Sequence, residues 1–161
     1  MNTALFPGSF DPITKGHVEV VRQAARIFDK VIVAVMTNTA KSYLFTVEER
    51  MQFVQDALRE LPKVEVVKRP DELTIQTARD LQATAIVRGV RNDQDFLYEQ
   101  QIAAMNKELA PEVETVLLFT RPQDSFVASS VIKEVAHFGG EVSSFLPAMA
   151  AAAVKEKLGN R

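Results

Sequence analysis

Short apolar runs alternate along this chain with longer segments whose apolar residues recur at helical spacing. The runs are rich in Val, Ile and Leu throughout, which is typical of strands buried on both faces. Chains that alternate such strands with helices fold into parallel sheets, because each helix returns the chain to the starting edge of the next strand. The pattern therefore predicts an α/β fold of the doubly wound, Rossmann-like class, with a five-stranded, mostly parallel sheet and helices on both faces.

The individual elements can be placed from the same pattern. Strands are predicted at residues 3–6, 31–36, 64–67, 85–87 and 113–119. A first helix after His17 would bury a stripe made of Val18, Val21, Ala25 and Phe28. A second begins at a capping box formed by Thr46 and Glu49 and ends before Pro62. Two more are predicted at residues 94–109 and 129–138, and Pro147 suits the first turn of a last helix.

Composition limits the chemistry and the surroundings of the protein. The 161 residues include no cysteine and two histidines, which excludes disulfides, Cys-ligated metals and a cysteine nucleophile. A formal net charge of -2 argues against a nucleic-acid partner. No apolar run approaches the roughly 18 residues that a membrane span needs, and no signal peptide pattern opens the chain, so a cytoplasmic protein is expected. No repeat or linker marks a boundary, and residues 1–161 are predicted to form one domain.

The loop after the first predicted strand has the composition of a phosphate-binding turn. In parallel sheets, ligands bind beyond the carboxyl ends of the strands, where helix N-termini carry partial positive charge. At this edge Gly8 allows close backbone approach, Ser9 supplies a hydroxyl, and His17 follows Gly16 in the first turn of a helix. From these residues alone a simple turn is an equally good interpretation, since Pro-Gly and Asp-Pro are common turn formers.

Two further segments at this edge carry anion-binding groups. Arg88 and Arg91 flank Gly89 where the fourth strand ends, and guanidinium groups at a strand end favour phosphate binding over a merely solvated surface. The serines at 125–130 precede a helix, where they suit the β- and γ-phosphates of a nucleotide or serve as a plain N-cap. His137, near a helix C-terminus, is interpreted as structural.

The residues Gly8-Ser9-Phe10-Asp11-Pro12, followed by Gly16-His17, resemble the nucleotidyltransferase signature T/S-F-D-P-x-x-x-G-H. Over essentially the whole chain the sequence resembles the phosphopantetheine adenylyltransferase family. The matching blocks are FTVEER at 45–50, RGVR at 88–91, FLYE at 96–99 and ASSVIK at 128–133. The resemblance implies transfer of AMP from ATP to 4′-phosphopantetheine, which gives dephospho-coenzyme A and pyrophosphate. No covalent intermediate is expected, because the attacking phosphate is already largely anionic at neutral pH.

The resemblance also assigns roles to individual residues. The catalytic residues would be His17, Lys41 and Arg88, with Lys41 between the two substrates. ATP would be bound by Ser9, Phe10, His17, Gly89, Val90, Arg91, Glu99, Asp124, Ser125, Phe126, Val127, Ala128, Ser129 and Ser130. Phosphopantetheine would be bound by Ser9, Lys41, Leu73, Thr74, Arg88 and Asn106. Mg²⁺ would accompany ATP, held by its phosphates and water and by no protein side chain.

Two positions depart from the family pattern. Ala128 stands where the family commonly has serine, so a hydroxyl contact to ATP is lost and binding there depends on backbone N–H groups, Ser129 or Ser130. Thr74 replaces an apolar residue at the pantetheine arm, but its methyl group keeps part of the apolar contact. Ile102 and Met105 lie at helical spacing near that pocket and are expected to belong mainly to the core.

Other functions remain open from the sequence. A nicotinamide-mononucleotide adenylyltransferase or a glycerol-phosphate cytidylyltransferase is a related possibility, although cytidylyltransferases usually show H-x-G-H where this chain has Thr14-Lys15-Gly16-His17. A nucleotide-binding module without turnover is another, against which intact His17, Lys41 and Arg88 argue. The resemblance further implies a homohexamer and coenzyme A as a feedback inhibitor, with no membrane partner.

Overall fold

The structure, a computed structural model, describes residues 1–124 and 128–159 and contains one five-stranded sheet. The strands are β1 (Thr3–Gly8), β2 (Lys30–Thr37), β3 (Val64–Pro70), β4 (Ala85–Val90) and β5 (Glu114–Phe119). They lie in the order β3-β2-β1-β4-β5, and every neighbouring pair is parallel. The predicted α/β class is therefore confirmed.

Helices connect the strands and cover both faces of the sheet. They are α1 (Lys15–Ile27), α2 (Val47–Leu58), α3 (Thr74–Asp80), α4 (Asp93–Leu109), α5 (Ser129–His137) and α6 (Ala148–Leu158). The predicted capping box of α2 is present, with Thr46 Oγ1 accepting from the Glu49 N–H and Glu49 accepting from the Thr46 N–H. Pro147 lies at the N-cap of α6, one position before the first turn in which it was expected.

Two hydrophobic clusters lie on opposite faces of the sheet, because successive side chains of a strand point to opposite sides. Ala4 and Phe6 of β1 belong to the larger cluster, which includes residues of α1, α2, α5 and α6. Leu5, between them, belongs to the smaller cluster together with residues of α3. The stripe predicted for α1 is partly wrong: Val20, Val21 and Ala24 are its buried apolar residues, whereas Val18 and Ala25 are only partly buried.

The strand order reverses direction between β1 and β4, and the two strands separate there. β1 pairs with β2 over its whole length, but its pairing with β4 stops at Leu5 and Ile86. Beyond this point the two strands continue to Gly8 and Val90 without pairing to each other. In open α/β sheets such a reversal forms a crevice at the carboxyl edge, where ligands bind. The fold therefore places a crevice directly beneath the loop that follows β1.

Candidate active site

A cavity of about 500 Å³ occupies this crevice. It collects predicted site residues from five separate segments of the chain. Those that line it are Ser9, Phe10, His17, Lys41, Arg88, Gly89, Arg91, Glu99, Asp124, Ala128, Ser129 and Ser130. Residues far apart in sequence thus meet in one cavity, as the position of their loops at the strand ends predicts.

Of the other predicted residues, four do not line this cavity and three lie outside the described residues. Leu73 is the N-cap of α3 and is 66% exposed, Thr74 begins that helix, and Asn106 lies on α4. Val90 is buried, and its carbonyl accepts the Thr120 N–H at 3.1 Å. Ser125, Phe126 and Val127 lie outside the described residues. The roles assigned to all of the predicted site residues, those that line the cavity included, stay predictions.

His17 is held in a defined orientation by the start of its own helix. Thr14 is the N-cap of α1, and its side chain accepts the His17 N–H at 3.2 Å. In turn, Nδ1 of the His17 ring accepts a hydrogen bond from the Thr14 N–H at 3.0 Å. An imidazole whose Nδ1 is an acceptor carries its proton on Nε2. The helix cap thus leaves Nε2–H as the donor available to a ligand.

The surroundings of His17 keep the ring neutral. Burial lowers the pKa of His17 to about 4, and the positive charges of Arg88 and Arg91 act in the same direction. The ring also contacts Phe10, with centroids 5.1 Å apart. At neutral pH the imidazole is therefore a neutral hydrogen-bond donor and not an acid.

The backbone after β1 brings Phe10 against this ring. Phe10 is buried, has φ 49°, and packs edge-on against Phe6 with centroids 5.5 Å apart. A Cβ added to Gly8 would lie 2.9 Å from Phe10 Cζ, closer than such atoms approach. Gly8 is therefore required for the turn to close on its own aromatic residue, and the turn carries Ser9 to the cavity wall.

Arg88 spans the separated strands. Its guanidinium donates from Nη1 to the Pro7 carbonyl at 3.0 Å, which links the end of β4 to the end of β1. Nε donates to both carboxylate oxygens of Glu99 at 3.0 Å, and Nη2 lies 2.9 Å from Glu99 Oε1. Glu99 is 6% exposed, so this carboxylate is buried against Arg88 and not solvated on the outside of α4. Among the described residues of α4 it is the buried one.

A second arginine at the cavity is paired in the same way, since Arg91 Nε donates to Asp95 at 2.9 Å. Asp124, which also lines the cavity, is buried and accepts from Nε of Arg121 at 3.0 Å, although Arg121 itself is not a lining residue. Partial burial raises the pKa of Asp95, but the hydrogen bonds from Arg91 outweigh it and bring the pKa below its usual value. The guanidinium groups are thus fixed in place before any ligand arrives.

Lys41 differs from these arginines. It lies in the exposed segment between β2 and α2, and its side chain makes no hydrogen bond or ion pair to any described residue. It lines the cavity as an unpaired cation on a loop. Ser129 also lines the cavity, and its hydroxyl donates to the Pro12 carbonyl at 2.8 Å. The start of α5 is thus attached to the signature loop, which is the loop between β1 and α1.

Several residues of the site escaped the sequence analysis. Asp11 and Lys133 line the cavity as an ion pair with 3.0 Å between Oδ2 and Nζ. Arg50 is fully buried and donates to the Ser9 and Met36 carbonyls at 2.7 and 3.0 Å. All three stand inside the motif blocks, but nothing in the composition of those blocks separates a buried charge from a solvated one.

The described residues contain no group of three or more His, Cys, Asp or Glu side chains that could hold a metal ion. In the same residues, no helix combines the length and the apolar character needed to cross a bilayer.

Comparison with known proteins agrees with this geometry. The cytidylyltransferase-like family matches residues 5–135. A phosphopantetheine adenylyltransferase of Lactobacillus acidophilus is 60% identical over 98% of both chains, and that of Lactobacillus helveticus is 58% identical over 99% of this chain and 98% of its own.

This chain belongs to the phosphopantetheine adenylyltransferase family. The membership rests on identity over nearly the whole length, so the family resemblance expected from the motif blocks is confirmed. A putative nicotinate-nucleotide adenylyltransferase of Vibrio parahaemolyticus has the same fold, with a TM-score of 0.71 over 100% of this chain and 97% of its own, at 16% identity.

Proposed function

We propose that this protein transfers AMP from ATP to 4′-phosphopantetheine, which yields dephospho-coenzyme A and pyrophosphate. Family membership supports the reaction. One structural observation supports the mechanism: a neutral imidazole with its Nε2–H free, two fixed arginines and an unpaired lysine surround the same cavity. These groups offer charge and hydrogen bonds to two phosphate-bearing substrates.

The nucleophile needs little activation in this reaction. A phosphate monoester has a second pKa near 6 and is mostly a dianion at neutral pH. It can attack the α-phosphorus of ATP directly, whereupon the bond to pyrophosphate breaks and AMP is transferred. No general base is required, and the enzyme contributes positioning and charge.

The residues divide this work between the two anions. Arg88, fixed at the junction of β1 and β4, binds the acceptor phosphate, while Arg91 and the N-terminus of α5 bind ATP. His17 donates from Nε2 to an α-phosphate oxygen, where negative charge develops in the transition state. Lys41 lies on an exposed loop and can contact both anions. Mg²⁺ would accompany ATP, held by its phosphate oxygens and by water.

Pyrophosphate release tests the proposal directly. Purified protein with ATP and Mg²⁺ is expected to release pyrophosphate when 4′-phosphopantetheine is added. Nicotinamide mononucleotide, or CTP with glycerol phosphate, serves as the control for the related transferases. Absence of release with 4′-phosphopantetheine, or faster release with a control pair, contradicts the proposal.

We further propose that the protein is a homohexamer. Exposed apolar side chains are concentrated on α4, β5 and α5, which is unusual for the surface of a monomer. They are Phe96, Leu97, Tyr98, Ile102, Met105, Leu109, Phe119, Val131, Val135 and Phe138. The expectation that Ile102 and Met105 belong to the core is wrong, since Met105 is 61% exposed. A solution mass from light scattering near six times the chain mass supports the hexamer, and a monomeric mass contradicts it.

Coenzyme A is proposed as a feedback inhibitor. It carries the pantetheine arm of the acceptor and the adenine nucleotide of ATP, so it can fill both sides of one cavity. Inhibition should be competitive with 4′-phosphopantetheine, and initial rates at varied acceptor concentration test this. Inhibition that acceptor cannot relieve would point to binding elsewhere.

A further inference from the structure

We propose that Asp11 is a positioning residue that joins the loop carrying Lys41 to helix α5. Through Asp11, the loop that carries Lys41 and the start of α5 are both held at a fixed distance from the signature loop. The inference rests on the proposed function, since it concerns how the residues of that reaction are arranged.

Asp11 is 3% exposed and engages three donors from two other parts of the chain. Its Oδ2 accepts the Leu44 N–H at 2.8 Å and the Lys133 ammonium at 3.0 Å. Its Oδ1 accepts the Phe45 N–H at 3.0 Å. These three contacts occupy both carboxylate oxygens and tie the side chain to two other segments of the chain. Its geometry therefore suits positioning rather than proton transfer.

The two backbone donors end the loop that carries Lys41. At the other end of this loop, the Asn38 N–H donates to the Tyr43 hydroxyl at 2.9 Å, and the Tyr43 ring lies 4.0 Å from the Arg50 guanidinium. Residues 39–42, between these ends, are exposed. In the middle of the loop, the Ala40 and Lys41 N–H groups donate to Asn38, a residue of the loop itself, at 2.9 and 3.0 Å. The position of Lys41 therefore depends on where the ends of the loop are held, and Asp11 holds the later end.

The third donor belongs to the nucleotide side. Lys133 lies on α5, four residues after Ser129, whose hydroxyl donates to the carbonyl of Pro12. Asp11 and Pro12 thus attach α5 to the signature loop through one side chain and one carbonyl. A displacement of Asp11 would move both the loop of Lys41 and the start of α5. Loss of Lys133 would loosen α5 alone, because the hydrogen bond from Ser129 to Pro12 still attaches the start of that helix.

Kinetics of two variants and their combination separate these roles. Asp11→Asn is expected to raise the KM for both substrates and to lower kcat, each by roughly tenfold, since small displacements in a phosphate-transfer site are costly. Lys133→Met should raise the KM for ATP and leave that for 4′-phosphopantetheine within about twofold. If Lys133 acts through Asp11, the double variant should be no worse than Asp11→Asn, because coupled residues are not additive.

Matched controls are available on the surface. Asp56→Asn removes a carboxylate paired with Arg59 on α2, and Lys30→Met removes a lysine paired with Glu65 at the opposite edge of the sheet. Both should keep wild-type kinetics. Circular dichroism and melting temperature show whether each variant is folded. If Asp11→Asn does not fold, Asp11→Glu takes its place, because it keeps the charge but displaces the carboxylate, and it should raise the KM for both substrates.

Three outcomes overturn the inference. One is unchanged KM values in folded Asp11→Asn, and another is a rise in both KM values for Lys133→Met. The third is tighter ATP binding in Asp11→Asn, as expected if Lys133 were a phosphate ligand that Asp11 restrains. Absence of pyrophosphate release by the wild-type protein is a separate result, because it contradicts the proposed function and not the role of Asp11.

Discussion

At the scale of single residues, His17 combines two tasks that rarely fall to one side chain. Its Nδ1 completes a helix cap with Thr14, and its Nε2 is left as a donor in the cavity. The helix cap therefore selects the tautomer that the chemistry uses. Burial and two nearby arginines keep the ring neutral, so that its proton is offered in a hydrogen bond and is not transferred.

Replacing His17 by alanine tests the donor role. His17→Ala should lower kcat by about 100-fold or more, the effect of losing one preorganised donor to a developing charge, with little change in ATP affinity. Glu49→Ala is the matched control, because Glu49 occupies the same position in the capping box of α2. The control should lose comparable stability and keep its turnover. Equal losses in turnover and in ATP affinity for His17→Ala would make His17 a binding residue only.

The low pKa of His17 also predicts a pH dependence of stability. Between pH 6.5 and about 4 the unfolded state binds a proton at this residue and the folded state does not, so stability falls as pH falls through this window. The loss amounts to about 3 kcal/mol at most. Urea titrations of wild type and His17→Gln, compared across the window, should converge by roughly that amount. Parallel curves would mean that the folded-state pKa lies near its ordinary value.

The sequence indicated the hydrogen-bond donors of the candidate site more clearly than the buried carboxylates of the site. Motif blocks and strand-end positions indicated His17 and Arg88, because cations at the carboxyl edge of a sheet have a physical reason to be there. Glu99 and Asp11 were harder to interpret, since an acidic residue in a helix or a turn is usually solvated. Only their burial and their contacts with Arg88 and Lys133 distinguish them, and both arise from tertiary packing.

At the scale of elements, the position of His17 depends on how closely α1 lies on β4. A Cβ at Gly89 would come within 2.9 Å of Val20 Cγ2, so the absence of a side chain at Gly89 sets this distance. Long, periodic elements such as α2 and α4 were predicted within a few residues. The short helix α3 was not predicted, because seven residues carry too little periodicity to distinguish a helix from a turn.

Gly89→Ala tests the contact between these two elements. The added methyl group should lower the free energy of unfolding by about 1–3 kcal/mol and reduce kcat, because α1 carries His17 away from the cavity. Val20→Ala removes the clashing methyl group, so the double variant should recover kcat even though Val20→Ala alone leaves a small cavity. Chemical denaturation and pyrophosphate release measure the two effects. A double variant as slow as Gly89→Ala would show that the contact with Val20 is not the cause.

At the scale of the whole molecule, the strand order creates the cavity and the exposed apolar residues bear on assembly. Tyr98, Ile102, Met105 and Leu109 recur at helical spacing along α4, and Val131, Val135 and Phe138 do so along α5. An amphipathic helix with its apolar stripe exposed is stabilised when another surface covers it. The stripes themselves can be located in the sequence, but the sequence does not show whether the core or another chain covers them.

Charged substitutions on the two stripes test the assembly. Met105→Glu and Phe138→Glu should reduce the solution mass, because a carboxylate buried between apolar surfaces is costly to desolvate. Met149→Glu, at an exposed position of α6, should leave the mass unchanged. Light scattering over a range of protein concentrations measures the effect. Unchanged mass in both stripe variants would place the contacts between subunits elsewhere.

The carboxylates that accompany Arg88 and Arg91 affect which anions can compete for the cavity. Each arginine already donates to a carboxylate. A single small anion must share the guanidinium with that carboxylate, so it gains little binding free energy. A substrate that engages several cations together, and adds contacts from its adenine or pantetheine part, gains enough to bind. Inorganic phosphate should therefore be a weak competitor, and the cavity should remain open to nucleotides in its presence.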